Sequence, residues 1–167
     1  MKTKALVSII MGSSSDSETM KEAEVLLERF SIVYEKRILS AHRSPDDLID
    51  YVRQAQGAGI KIIIAGAGGA AALAGVVASH TVLPVIGIPL ETHSMKGLDS
   101  LLSTVQMPAG VPVAAMAVGK SGAKNAAILA LEILALEDKN LRNKLVAYKK
   151  ELADMIRIQN KKYKNKK

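Results

Sequence analysis

Through the first two thirds of the chain, β-branched apolar runs alternate with helix-length patterns. This alternation constrains the fold more than any other feature, because parallel strands joined by crossover helices are what such an order builds. Strands are predicted over 5–11, 33–39, 60–65, 85–89 and 113–118. Helices are predicted over 17–30, 45–56, 68–79, 121–136 and 139–158, with a short one over 97–103. With 167 residues, 49% of them hydrophobic, the chain can bury a sizeable core and is not disordered in bulk. The expectation is one doubly wound α/β domain over 1–158, its last helix appended, and a disordered Lys-rich tail over 159–167.

Composition removes several kinds of function. There are no cysteines, so disulfides, thiolate metal sites, iron–sulfur clusters and a cysteine nucleophile are excluded. Aromatic residues are 3% of the chain, too few for a base-stacking nucleic-acid platform. The formal charge of +7 is localised: from Lys139 onward eleven Lys or Arg stand beside two acids, and the rest of the chain is slightly acidic. Without interleaved aromatics, that segment reads as a solvated helix with a frayed end, not an arm for nucleic acid or membrane. Residues 62–90 carry no formal charge, but Gly66, Gly68, Gly69, Gly75, Pro84, Gly87 and Pro89 break them into strands, a turn and a short helix. They are expected to be buried, not membrane-spanning. The apolar run after Lys4 is short and lacks a cleavage site, so a cytoplasmic location is expected.

Two of the helices lack a polar face. One is the stretch from Gly69 to Ala78, the other Asn125-Ala-Ala-Ile-Leu-Ala-Leu-Glu-Ile-Leu-Ala-Leu136. A helix apolar all round must be covered on both sides. A subunit interface would cover them, as would the chain's own C-terminal helix. His80, at the end of the first, fits a C-terminal cap.

Three loops at strand ends carry candidate chemistry. After the first strand, Gly12-Ser-Ser-Ser15 offers backbone N–H groups and hydroxyls to an anion at a helix start, with Asp16 a candidate helix cap. After the second, Ser44 and Pro45 look like the N-cap and first turn of a helix, leaving His42 and Arg43 on the loop. Arginine suits bidentate phosphate contacts, and histidine is the side chain that exchanges protons near neutral pH. After the third, Gly66-Ala-Gly-Gly-Ala-Ala71 satisfies G-x-G-x-x-A, and Glu91 follows at the distance of a ribose-binding acid. That keeps a dinucleotide-binding oxidoreductase in play, although such a fingerprint belongs in the first βαβ unit. A phosphorylated receiver fails, because Ala65 and Gly66 stand where its acceptor Asp is needed. With sheet order 2-1-3-4-5, all three loops converge at the switch point. His93, after the fourth strand, is a second-line candidate.

Met11-Gly-Ser-Ser-Ser-Asp16, Ser40-Ala-His-Arg43, Ala65-Gly-Ala-Gly-Gly-Ala70 and Asp99-Ser-Leu-Leu-Ser-Thr-Val-Gln-Met-Pro108 occur in that order. Together they resemble the N5-carboxyaminoimidazole ribonucleotide mutases of de novo purine biosynthesis, over about residues 5–136. The resemblance implies a flavodoxin-like three-layer α/β/α sandwich assembled as a homo-octamer. It implies an isomerase acting on a phosphorylated aminoimidazole ribonucleotide, with no metal, ATP, biotin or nicotinamide cofactor. By matched position, Ser13, Ser15, Ser40 and Arg43, with Ala41 beside them, would hold the phosphate end. Asp16 would hold the ribose hydroxyls and His42 would transfer protons. The backbone of Ala67, Gly68 and Gly69 would line the base and carboxylate pocket. Ala72 and Ala74 depart from the His and Pro of many members. The nearest rival within the superfamily carboxylates aminoimidazole ribonucleotide directly with carbon dioxide.

Overall fold

A strand covered on both faces reads as a continuous apolar run, and β1 (Val7–Met11) is buried at every position. In the computed structural model, which describes residues 4–164, the same holds for β4 (Val85–Leu90) and for the first five residues of β3 (Ile62–Gly68). With β2 (Tyr34–Ile38) and β5 (Ala114–Ala115) they form one parallel sheet in the order β2-β1-β3-β4-β5. Register aligns Ile9 with Ile64, and Ile64 with Ile86, across the sheet centre. Between the strands run α1 (Ser17–Arg29), α2 (Pro45–Ala58), α3 (Leu73–Ser79) and α4 (Leu98–Val105), with α5 (Lys120–Leu134) and α6 (Lys139–Lys164) following.

The two faces of the sheet are packed by different helices. On one, Ile10, Ile63 and Ala65 meet Leu48, Val52 and Ala55 of α2 and Leu73, Ala74 and Val77 of α3. On the other, Met20 of α1 lies over Gly66, where a Cβ would strike its sulfur. Lys120 and Lys124 of α5 pair with Glu18 and Glu22 of α1 at 2.6 and 3.4 Å. This is the expected three-layer arrangement, carried by alternation along β1: Ile10 faces α2, Met11 faces α1.

β2 lies at a sheet edge, and its residues are half-buried or exposed. Its charges are matched locally: Lys36 with Glu24 at 2.9 Å and Arg37 with Glu35 at 3.3 Å. On the inner side Tyr51 donates to Glu35 and bonds the buried Ser8, while Arg37 stacks 5.4 Å from its ring. Burial and the Glu35 carboxylate push the Tyr51 hydroxyl up to about 12.

Several boundaries differ from expectation. α3 starts at Leu73, not residue 68, because β3 extends to Gly68 and the backbone then turns through positive φ at Gly69 (+67°) and Ala71 (+37°). β5 shrinks to two residues, just past Pro112 at the sheet edge. His80 does end α3, its Nδ1 2.9 Å from Val76 O. Ser44 occupies the N-cap position of α2, but its hydroxyl turns back to accept from Ser40 N–H at 3.1 Å.

Two compact units are distinguished, Met1–Ala130 and Leu131–Lys167. In the second, Asp138 caps α6 by accepting from the N–H groups of Asn140 and Leu141, at 2.9 and 3.0 Å. Arg142 donates to the carbonyls of Ala135 and Leu136 at the end of α5, so two helix ends satisfy each other across a short connection. α6 continues to Lys164, past the expected end at 158, since nothing in its Lys-, Gln- and Asn-rich end breaks a helix. The tail expected over 159–167 is thus helical as far as Lys164, and its last three residues lie outside the described residues. No described helix is long and apolar enough to cross a membrane.

Candidate active site

At the carboxyl ends of β1, β2, β3 and β4 lies a cavity of about 550 Å³. Ligands of open parallel sheets bind at such a place, where the chain order reverses between β1 and β3. Ser13, Ser15, Asp16, Ser40, Ala41, His42, Arg43, Ala67 and Gly68 all line it. Gly69 does not; its N–H points away and donates to Ser100 Oγ at 2.9 Å. The β4–α4 loop adds Glu91, Thr92 and His93, and the turn before α3 adds Ala71 and Ala72.

The first loop is built by short-range hydrogen bonds. A single 3₁₀ turn, Ser14–Asp16, intervenes before α1, so the expected strand-to-helix turn is one step longer. Ser13 caps that turn, and Asp16 reaches back to accept from Ser13 N–H at 3.0 Å, closing a capping box. Asp16 is therefore not a side-chain cap of α1. Ser13 Oγ accepts from the Ser15 N–H at 3.4 Å and lies 2.9 Å from the Ser15 hydroxyl, which also reaches Asp16 Oδ1 at 3.4 Å. Burial raises the Asp16 carboxyl above its ordinary value, opposed by the Ser13 N–H, the Ser15 hydroxyl and the Arg43 charge.

Arg43 ties this loop to the second. Its Nη2 donates to Gly12 O at 2.6 Å and its Nε to Ser40 Oγ at 3.3 Å. The side chain is exposed and also borders an adjoining cavity of about 320 Å³ walled by Gly12, Ser13, Ser14 and Ser40. His42 is exposed on the same turn, between the serine loop and the glycine-rich wall. Arg43, Ser13 and Ser15 form a polar cluster suited to a dianion, and His42 lines the same cavity. The opposite wall, Ala67, Gly68, Ala71 and Ala72, is low enough for a flat ring to lie against backbone.

The glycine fingerprint does not behave as a dinucleotide site. Gly66 and Gly68 lie within β3, and no helix begins until Leu73. The turn through Gly69 and Ala71 thus separates the glycines from α3, whereas the fingerprint needs a helix opening directly on them. Residue patterns did not reveal Thr92, and they marked Ala71 and Ala72 only as part of the glycine fingerprint and as a departure from the family pattern. Glu91 and His93 had been noticed for other reasons.

Comparison with known proteins agrees in sequence and in shape. The AIR carboxylase family model matches residues 6–155. Over 140 residues the chain is 55% identical to the N5-carboxyaminoimidazole ribonucleotide mutase of Bacillus subtilis, covering 84% of this chain and 86% of that one. Over 149 residues it is 54% identical to the mutase of Pyrococcus horikoshii, covering 89% and 83%. Among solved structures, Treponema denticola PurE superposes with a TM-score of 0.86 at 31% identity, covering 95% of this chain and 98% of that one.

Proposed function

Because the chain belongs to the AIR carboxylase family, we propose that it is a mutase converting N5-carboxyaminoimidazole ribonucleotide to 4-carboxy-5-aminoimidazole ribonucleotide. The observation that carries this is the convergence of His42, Arg43, the serine loop and a low glycine–alanine wall on one cavity. Arg43, Ser13, Ser15 and Ser40, with Ala41 beside them, hold the 5-phosphate. Asp16 accepts from the ribose hydroxyls, and the aminoimidazole lies against Ala67 and Gly68.

His42 then gives one proton and later takes another. As imidazolium it protonates the exocyclic nitrogen of the carbamate. The nitrogen–carboxyl bond breaks with its electron pair kept by nitrogen, and carbon dioxide is released into the cavity. The aminoimidazole left behind is enamine-like, and its ring carbon four attacks the trapped carbon dioxide. That carbon now carries an extra proton, which neutral His42 removes, restoring aromaticity and the imidazolium. One group suffices for both transfers when it titrates near the working pH. Holding the two fragments together supplies the proximity that free carbon dioxide lacks.

We also place the protein in the cytoplasm as a homo-oligomer, an octamer on the family resemblance. Supporting this, Leu98, Leu102 and Val105 of helix α4 are about half exposed, at 52, 48 and 50%. Three apolar side chains at positions i, i+4 and i+7 form a stripe that a second copy would cover. A monomeric mass by light scattering at micromolar concentration refutes the assembly.

The activity is tested by parallel assays with N5-carboxyaminoimidazole ribonucleotide, with aminoimidazole ribonucleotide plus bicarbonate, and with NAD(P)H. Turnover of the first at low bicarbonate is expected. Efficient turnover of only the second makes the chain a direct carboxylase, and nicotinamide oxidation overturns the reading altogether.

A further inference from the structure

Helix α4 packs with its polar side inward. Ser100 and Thr104 are 0 and 3% exposed, whereas Leu98 and Leu102 are 52 and 48% exposed. Burial of apolar area within one chain would favour the opposite rotation, and the inward hydroxyls are each hydrogen-bonded. Thr104 satisfies itself by donating to Ser100 O at 2.7 Å. Ser100 does something different. Its hydroxyl donates to Leu90 O at 2.7 Å and accepts from Gly69 N–H at 2.9 Å. An amide N–H can only donate, so the hydroxyl oxygen is the acceptor for Gly69, and its single proton goes to Leu90 O over the longer contact to Asp99 Oδ1 at 3.4 Å. One buried side chain therefore links the end of β4 to the turn that forms the glycine-rich wall.

That turn needs holding. Ala71, a residue with a Cβ, sits at φ +37° and is buried in the cavity wall, two positions after left-handed Gly69. Such conformations persist only where the surroundings over-determine them. The turn's own internal bond, Ala71 N–H to Gly68 O, is long at 3.3 Å. On the far side, the Thr92 methyl stands 3.2 Å from where a Gly68 Cβ would be, so Gly68 is packed in from the β4–α4 loop as well. Thr92 in turn donates to Asp99, the neighbour of Ser100, at 3.0 Å.

We propose that Ser100 is a positioning residue for the mutase reaction: through Gly69 it sets the 68–72 turn, the wall that keeps released carbon dioxide beside the ring. This rests on the function proposed above. When the wall is loosened, the carbamate still loses carbon dioxide and its nitrogen still takes a proton. The second bond then fails to form in a fraction of turnovers, and free aminoimidazole ribonucleotide and carbon dioxide escape.

The test compares wild type with Ser100→Ala, reading amide hydrogen exchange without substrate and product partition with it. Losing one hydrogen bond should speed Gly69 exchange by about tenfold, while the Leu101 amide, bonded to Gly97 O within α4, keeps its rate. The ratio of free aminoimidazole ribonucleotide to carboxylated product should rise severalfold, with KM for the carbamate within about twofold. Unchanged Gly69 exchange, or faster exchange with unchanged partition, overturns the proposal. If Ser100→Ala does not fold, Ser100→Cys fills the same space with a poor hydrogen-bonding atom and carries the same expectations. A wild-type chain inactive on the carbamate instead refutes the mutase reading, and the substrate-free exchange measurement still decides whether Ser100 sets the turn.

Discussion

Replacing Arg43 by alanine separates binding from chemistry. The guanidinium bridges Gly12 O at 2.6 Å and Ser40 Oγ at 3.3 Å, so the protein's own loops orient it for a phosphate. A hydrogen bond to a charged group contributes about 1.5–3 kcal/mol net, which corresponds to about a 10–150-fold rise in KM. The phosphate does not change during the reaction, so the contact is equal in ground and transition states and kcat should move by less than about threefold. Stability should fall little, because the side chain is exposed: about 0.5–1 kcal/mol for the lost loop bridge, or about 1–4 °C in Tm. Arg43→Lys keeps the charge without the fork and should recover part of the affinity. Added salt should raise the wild-type KM and leave that of the alanine variant nearly unchanged. Steady-state kinetics over a salt series measures all of this. A collapsed kcat with an unchanged KM would show that Arg43 acts on the reacting atoms and that the phosphate is held elsewhere.

His42→Asn should bind nucleotide nearly as wild type does and lose about 10²-fold or more in turnover; near-normal turnover in a folded variant removes it from the proton-transfer role. Gly57 on α2 has open space where a Cβ would be, so Gly57→Ala should add about 0.5–1 kcal/mol. At Gly122 on α5 the same methyl would lie 2.7 Å from the Ala117 carbonyl carbon and closer still to its oxygen, so Gly122→Ala should cost about 3 kcal/mol or more. Urea unfolding checks the pair, and equal effects would contradict the packing. Asp16 is an acid whose folded value is raised, so its contribution to stability declines as pH rises from about 3.8 through that folded value. Asp16→Asn should therefore gain on wild type between pH 4 and pH 7, and a variant that loses ground over that range refutes the sign.

The parallel strands and their covering layers were legible because the apolar runs of β1, β3 and β4 are continuous and alternate with helix-length segments; the strand order came with the family resemblance. His42 and Arg43 were legible because Pro45 marks where α2 must begin. The turn after β3 was not: Gly-Gly-Ala-Ala-Ala reads as the start of a small-residue helix, and only the tie between Gly69 and Ser100 reveals an extended strand followed by a left-handed step. The orientation of α4 was hidden for another reason. A helical pattern separates two faces but does not say which one is inside, and the presence of leucines on one face suggests the wrong answer. Tyr51 illustrates a third limit: its hydroxyl bonds Ser8 and Glu35, 43 and 16 residues away, and no local pattern encodes that.

The margins of the sheet have a consequence for how this protein behaves when concentrated. A bare strand edge is a template on which another chain can grow a cross-β ladder. Here one margin, β2, presents Glu35, Lys36 and Arg37, and Lys36 and Arg37 each hold an ion-pair partner that an incoming strand would strip of water. The other margin, β5, is two residues long and offers no register to copy. Ordered lateral growth by strand addition is blocked at both ends, so copies of the chain that meet must do so through side chains on helices.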